Sequence, residues 1–300
     1  MSKLESIKRH ILIINKLRQA KKATFAEISD SLAKASELDG YYDFNVSKRT
    51  FQRDVEDIAT LYGIYIKFNF SGKYYCIEED LPDESERRML EALDLFNALK
   101  TKENISQFVS FDNRVAGGTE NLYGLLHAIR NRLQISFVYS KFYKSHSENR
   151  TVEPLALKEF KYRWYLFARD TFDNRLKTYA LDRLSDLQVF NTHFQQVDDF
   201  DVNELLKYCF GIIIPSGAEP QEIVLSFNSF QGKYIKSLPL HSSQKILIDN
   251  EKELRISLKL YITDDFIMEL LSVGRTVKVI APQSLVEDIK EIYVKALKKY

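Results

Sequence analysis

Three hundred residues leave room for two or three domains of about 100–150 residues each, and 45% apolar with 28% charged residues is an ordinary globular composition, which argues against disorder and coiled coil. The formal charge of +1 gives no whole-molecule attraction for nucleic acid, and Cys76 and Cys209 are too far apart for a CxxC zinc site or a disulfide framework. No stretch approaches the roughly 20 apolar residues of a membrane span, and Met1-Ser-Lys-Leu-Glu5 does not open a secretory signal, so the expected location is the cytoplasm.

The charge is unevenly spread. Lys3, Lys8, Arg9, Lys16, Arg18, Lys21 and Lys22 stand against Glu5 alone in the first 24 residues, a stretch that suits phosphates or simply a solvated helix face. Leu4, Ile7, Ile11 and Ile14 recur at helical spacing and predict a first helix ending near Lys21 and Lys22. Thr24 and Glu27 have the spacing of a capping box opening a second helix, with Ile28 and Leu32 inward. Residues 39–43, containing Gly40, interrupt the pattern. Ser47 then caps a third helix whose stripe is Phe51, Val55, Ile58 and Tyr62, ended by Gly63.

That stripe leaves Lys48, Arg49, Gln52 and Arg53 near the exposed first turns, where the recognition helix of a helix-turn-helix contacts bases. Arg53 is read as a phosphate contact or as an ion pair with Asp54, and Ser47 and Thr50 complete the candidate DNA-binding set. Residues 64–77 read as two short strands around Ser71 and Gly72, the wing of a winged helix, with Lys67 and Lys73 offered to phosphates. Three helices and a hairpin in this order, with cations gathered on the third helix, point to double-stranded DNA as a partner.

Pro82 to Ser85 opens a connecting helix carrying Met89, Leu93 and Phe96, and residues 102–118 form a polar boundary. A helix over residues 120–133 places Leu122, Leu125, Ile129 and Leu133 on one face. Strands follow over 134–139, 150–157, 162–169, 176–182 and 185–190, a compact and mostly antiparallel β unit. Along the third of these, Trp164, Leu166 and Ala168 share one face and Arg163, Tyr165 and Phe167 the other. One face is core; the other, if it is the second, offers Tyr165 beside Arg163 for stacking and charge. Trp164 is read as a packing anchor. Strict alternation sets Lys177 and Arg183 with Tyr179 and Leu181, so either a bulge reorients the cations or they snorkel.

Beyond Glu222 the pattern is α+β: strands over 223–227, 245–249, 254–261 and 276–280, a helix capped by Asp264 and closed by Gly274, and a terminal helix opened by a capping box of Ser284 and Glu287. The five histidines, His10, His127, His146, His193 and His241, lie in no nucleophile, P-loop or HExxH context, so neither catalysis, a cofactor nor a metal is expected.

Several blocks carry a resemblance. Trp164-Tyr165-Leu166, Tyr139-Ser140, Arg150 through Pro154, and Tyr179 through Arg183 resemble the WYL-domain family of bacterial transcriptional regulators, and residues 47–54 resemble the start of the recognition helix in those proteins. Phe266 to Gly274 and Val277 to Pro282 resemble their C-terminal extension. Lys177 stands where the family more often has Arg, which keeps the charge and loses a bidentate fork. The resemblance implies a multidomain α+β chain: a winged helix-turn-helix over 1–80, a helical linker over 81–118, an Sm- or SH3-like β-barrel over 119–200, and a small α+β extension over 201–300 that serves dimerisation. It implies a homodimeric regulator, often a repressor, whose barrel senses a single-stranded nucleic acid or nucleotide through Tyr139, Ser140, Arg150, Tyr165, Lys177 and Arg183. A second reading is an accessory protein that binds single-stranded nucleic acid and modulates a partner nuclease.

Overall fold

The computed structural model describes residues 3–78, 88, 91, 92, 95, 110, 117–143, 146–195, 201–215 and 217–300. The start of the connecting helix at Pro82, with its Met89, Leu93 and Phe96, and most of the 102–118 boundary lie outside the described residues. The chain divides into two compact units, Met1–Phe111 and Asp112–Tyr300.

In the first unit, helices α1 (Lys3–Ala20), α2 (Phe25–Asp39) and α3 (Lys48–Tyr62) precede a hairpin of β1 (Ile66–Asn69) and β2 (Tyr74–Ile77). The local signals act as read. Thr24 and Glu27 close their capping box, Ser47 Oγ accepts the Thr50 amide at 3.2 Å, and α2 and α3 end on Gly40 and Gly63, both left-handed. In the hairpin turn, Asn69 Oδ1 accepts from the Gly72 amide at 2.8 Å. Phe51 is the keystone: its ring meets Phe25 of α2 at 5.4 Å and Tyr75 of β2 at 4.9 Å, edge to face in both cases. Val55 and Tyr62 are only partly buried, and Asp54 takes the buried place between Phe51 and Ile58.

The second unit opens with a 3-10 turn (Thr119–Asn121) and α4 (Leu122–Arg130). Gly118, at φ 94°, approaches the Leu181 carbonyl so closely that any Cβ there would collide with it. Strands β3 (Leu133–Tyr139), β4 (Glu148–Phe160), β5 (Arg163–Asp170), β6 (Leu176–Ala180) and β7 (Leu184–His193) form an antiparallel sheet in the order β6-β5-β4-β3-β7. Among the described residues β6 and β7 are not paired with each other, so the sheet is open and not the closed barrel expected. The cause is local: a 3-10 turn, Leu181–Arg183, carries the chain off the edge of β6 and delivers β7 to β3. One face of this sheet packs Leu133, Ile135, Phe137, Val152, Leu166 and Ala168 against Leu125 and Ala128 of α4, with Trp164 partly buried against them.

After the short α5 (Val202–Leu206), the chain runs β8 (Gln221–Asn228), α6 (Ser229–Ser237), β9 (Lys245–Asp249), β10 (Glu253–Leu260), α7 (Asp264–Ser272), β11 (Val277–Ala281) and α8 (Gln283–Leu297). The sheet order β11-β8-β10-β9, antiparallel throughout, is the split β-α-β-β-α-β arrangement of ferredoxin-like folds. Sequence reasoning missed α6; its Gly232 lets the helix lie on β10, where a Cβ would sit 2.6 Å from Leu254 Cβ. The second capping box is not formed: α8 begins at Gln283 behind Pro282, and Glu287 accepts from Gln283 Nε2 at 3.1 Å. Thr263, not Asp264, is the N-cap residue of α7.

Candidate nucleic-acid interface and sensor site

On α3, Lys48, Arg49, Gln52 and Arg53 are all exposed. Among the described residues Arg49 and Arg53 have no recorded ion pair, while Lys48 Nζ stands 5.9 Å from the Phe25 ring centre. Ser47 and Thr50 serve the helix itself, through the cap and a 3.0 Å contact between their hydroxyls. Arg53 does not pair with Asp54. That carboxylate points inward, where Arg9 of α1 donates to it from Nε at 2.7 Å and Nη2 at 2.8 Å and His10 Nε2 lies 3.3 Å away. Burial works to raise the Asp54 pKa, and the hydrogen bonds and charges of Arg9 and His10 outweigh it, leaving the group below the ordinary carboxylate value.

Arg9, buried, is thereby removed from the cations that could meet phosphates. Lys8 is drawn aside as well, paired with Asp39 at 2.8 Å. His10, Asp54 and Asp57 come close enough to suggest a metal site, but the Arg9 cation occupies both Asp54 oxygens and the donor set does not fit one. On the hairpin, Lys67 is ion-paired with Glu78, and Lys73 stands exposed in the turn at φ 55°.

In the second unit the predicted sensor residues separate into two groups. Tyr139, Arg150 and Lys177 lie on the α4 side of the sheet, around a residue that sequence reasoning missed. Asp170, whose side chain is 2% exposed, accepts from Arg150 Nη1 at 3.1 Å, Lys177 Nζ at 2.8 Å and Tyr179 Oη at 3.1 Å through one oxygen, and from the Phe172 amide at 3.0 Å through the other. Burial raises its pKa, but Lys177, the Phe172 amide and Tyr179 outweigh that and bring it down to about 2. Lys177 also meets Asp173 at 2.7 Å, and Arg150 also pairs with Glu148. The Tyr179 hydroxyl is pushed up by burial and by the neighbouring carboxylate. Tyr139 is buried, its ring 5.1 Å from that of Tyr179 and its hydroxyl accepting the Ala180 amide at 3.1 Å. The signal available for Asp170 was the period of two itself, which carries Trp164, Leu166 and Ala168 on to a carboxylate on the buried face.

Tyr165 belongs to the other face, paired in register with Lys158 and Ala180 and 8% exposed. Arg183 leaves the strand pattern on the 3-10 turn, and its guanidinium carbon stands 4.1 Å from the Phe142 ring centre. Neither Asp182 nor Asp186 pairs with it; Asp182 faces Arg163 at 3.7 Å. The Ser140 amide donates to the Arg183 carbonyl at 3.1 Å, and its hydroxyl is 2.8 Å from that of Ser147. Lys177 remains beside Tyr179 without a bulge in β6, because Asp170 is there to receive it.

The Tyr165 face is covered by residues 209–213. Lys158 Nζ donates to the Gly211 carbonyl at 2.6 Å, and Asp265 Oδ2, at the start of α7, accepts the Ile212 and Ile213 amides at 2.8 and 3.0 Å. Phe210 bridges Phe160 and Phe266, with ring centres 5.8 and 5.4 Å away. Burial lowers the Lys158 pKa, with Cys209 and Asp265 working against it.

Residues 120–189 match the model of the WYL domain, and residues 219–297 match that of the WCX domain. The chain carries a WYL domain and a WCX domain. The WYL domain holds the Asp170 cluster, Tyr165 and Arg183; the WCX domain is the ferredoxin-like sheet; and the 209–213 clasp lies between the two. No catalytic family is indicated. No curated protein matches the chain. Among solved structures, proteasome accessory factor B/C (PafBC) of Arthrobacter aurescens is 20% identical with a TM-score of 0.36, covering 95% of this chain and 46% of its own, so this chain spans about half its length. A CRISPR Cas-related protein is 12% identical with a TM-score of 0.38, covering 98% of this chain and 85% of its own. Among the described residues no helix is long and apolar enough to cross a membrane.

Proposed function

We propose that this chain is a cytoplasmic, homodimeric, non-enzymatic transcriptional regulator that reads double-stranded DNA through a winged helix-turn-helix and senses a nucleic-acid-like or nucleotide ligand through its WYL domain. The proposed limits are 1–80 for the reading domain, 81–118 for the linker, 119–200 for the sensor and 201–300 for the extension that dimerises. The observation that carries the reading is the exposed start of α3, where Lys48, Arg49, Gln52 and Arg53 stand outward on a helix fixed from behind by Arg9 and Asp54. Arg49 and Lys48 suit guanine and Gln52 suits adenine in the major groove. Arg53, Lys67 and Lys73 suit phosphates. The order of β3 to β7, with a 3-10 turn before the last strand, supports an SH3-like sensor, in which Arg183 supplies a cation and Arg150 and Lys177 are engaged by Asp170. Repression is the proposed sign, as the resemblance to WYL-domain regulators implies.

Fluorescence anisotropy on the duplex upstream of the chain's own coding region, against a scrambled duplex, tests the reading. Tighter binding to the first, lost in Arg49→Ala, is the expected result. Equal and weak binding to both, with tight binding of single strands, overturns it and leaves an accessory single-strand-binding protein.

A further inference from the structure

Two loops of the WYL domain meet at one end of its sheet. The β3–β4 loop follows Tyr139, whose register partner is Glu148, and the β5–β6 turn follows Asp170, whose partner on β4 is Val152. Thr171 donates through both amide and hydroxyl to the Thr151 carbonyl, and Arg150 reaches across to Asp170, so the loops are neighbours. On them stand aromatic rings that the core does not use: Phe142 is 69% exposed, Tyr143 101% and Phe172 93%. Among the described residues most cations at this end are neutralised, since Arg150 and Lys177 are held by Glu148, Asp170 and Asp173 and Lys141 meets Glu148 at 3.3 Å. Arg183 and Arg175 have no recorded ion pair among the described residues. Arg183 lies over the Phe142 ring, and Arg175 follows Phe172 in the same turn and is exposed.

Exposed rings beside uncompensated guanidinium groups are the chemistry of single-strand binding, in which bases stack on the rings and cations follow the backbone. The geometry points to Phe142, Tyr143 and Phe172, with Arg175 and Arg183, as a stacking platform for a single-stranded oligonucleotide, and to Tyr165, buried on the other face, as no contact. Rings spread over two loops fit successive bases and not one mononucleotide. The inference rests on the sensing half of the proposed function and names its residues.

The test is a titration of the full-length chain with a short fluorescein-labelled oligothymidylate, alongside thymidine monophosphate as competitor and the upstream duplex as a separate arm. Phe142→Ala and Phe172→Ala are each expected to weaken oligonucleotide binding roughly 5- to 100-fold. Phe142→Trp should retain binding, and Arg175→Ala should flatten the salt dependence by about 0.7 in log–log slope. Tyr162→Ala removes an equally exposed ring from the β4–β5 turn at the opposite end and should change nothing. Wild-type affinity in both ring-to-alanine variants, with loss in Arg183→Ala, overturns the platform while the sensing reading survives. Thymidine monophosphate binding as tightly as the oligonucleotide overturns the multi-base occupant. Absence of any single-strand binding overturns both the platform and the sensing reading, and the duplex arm then judges DNA reading separately.

Discussion

Arg9 of α1 grips both oxygens of Asp54 on α3, and neither side chain reaches solvent. The pair fixes the rotation of α3 about its axis, and with it the direction in which the exposed quartet points. Asp54→Ala removes the carboxylate from a buried, hydrogen-bonded ion pair and should cost about 3–5 kcal/mol, whereas Arg9→Met combined with Asp54→Leu should recover much of that loss. Urea denaturation followed by far-UV circular dichroism checks this. Trp164, the only tryptophan, reports the WYL domain in the same samples, and its transition should not move.

Asp170 gives a pH prediction. Its pKa falls from an ordinary 3.8 to about 2 on folding, so the folded chain binds the proton less readily than the unfolded one. The stability this contributes is fully present above about pH 4 and is lost as pH falls through about 2. The difference in melting temperature between wild type and Asp170→Asn, read by Trp164 fluorescence, should therefore be constant near neutrality and shrink across that acid window. A difference that grows on acidification would contradict the cluster.

Glu78 restrains the hairpin lysine. Because Lys67 is ion-paired with it, Glu78→Gln should free a cation for phosphate and remove a repulsive charge. Duplex binding should tighten at low salt, and the log–log salt slope should steepen by about 0.9 for one added phosphate contact. Anisotropy over a salt series decides it.

A Cβ on Gly211 would displace the Asp265 carboxylate that holds the next two amides. Gly211→Ala should open the clasp between the WYL and WCX domains. Hydrogen exchange at the Ile212 and Ile213 amides should then rise well above wild type, while exchange in the α1–α3 core stays unchanged.

Much of the first unit was legible because its signals are local. Thr24 and Ser47 cap within three residues of themselves, and Gly63 ends α3 through its own backbone. Asp54 was misjudged because its partner lies 45 residues upstream, and helical spacing cannot reveal a charge that another helix will supply. Distance along the chain also hid Asp170, whose cluster draws on three strands, and α6, where contact with Leu254 overrides the poor helix propensity of Gly232. The open sheet turned on the 3-10 turn at Leu181–Arg183, which alternation reads as more strand. Tyr165 could be placed on either face until the 209–213 segment showed which one the chain covers.

The two faces of α3 divide their labour. Phe51, Asp54 and Ile58 hold the helix in place, whereas Lys48, Arg49, Gln52 and Arg53 are exposed. Exposed substitutions of this kind usually change stability by no more than about 0.5 kcal/mol. The outward quartet can therefore be substituted with little change in stability, so the proposed DNA contacts can be altered without unfolding the helix that carries them.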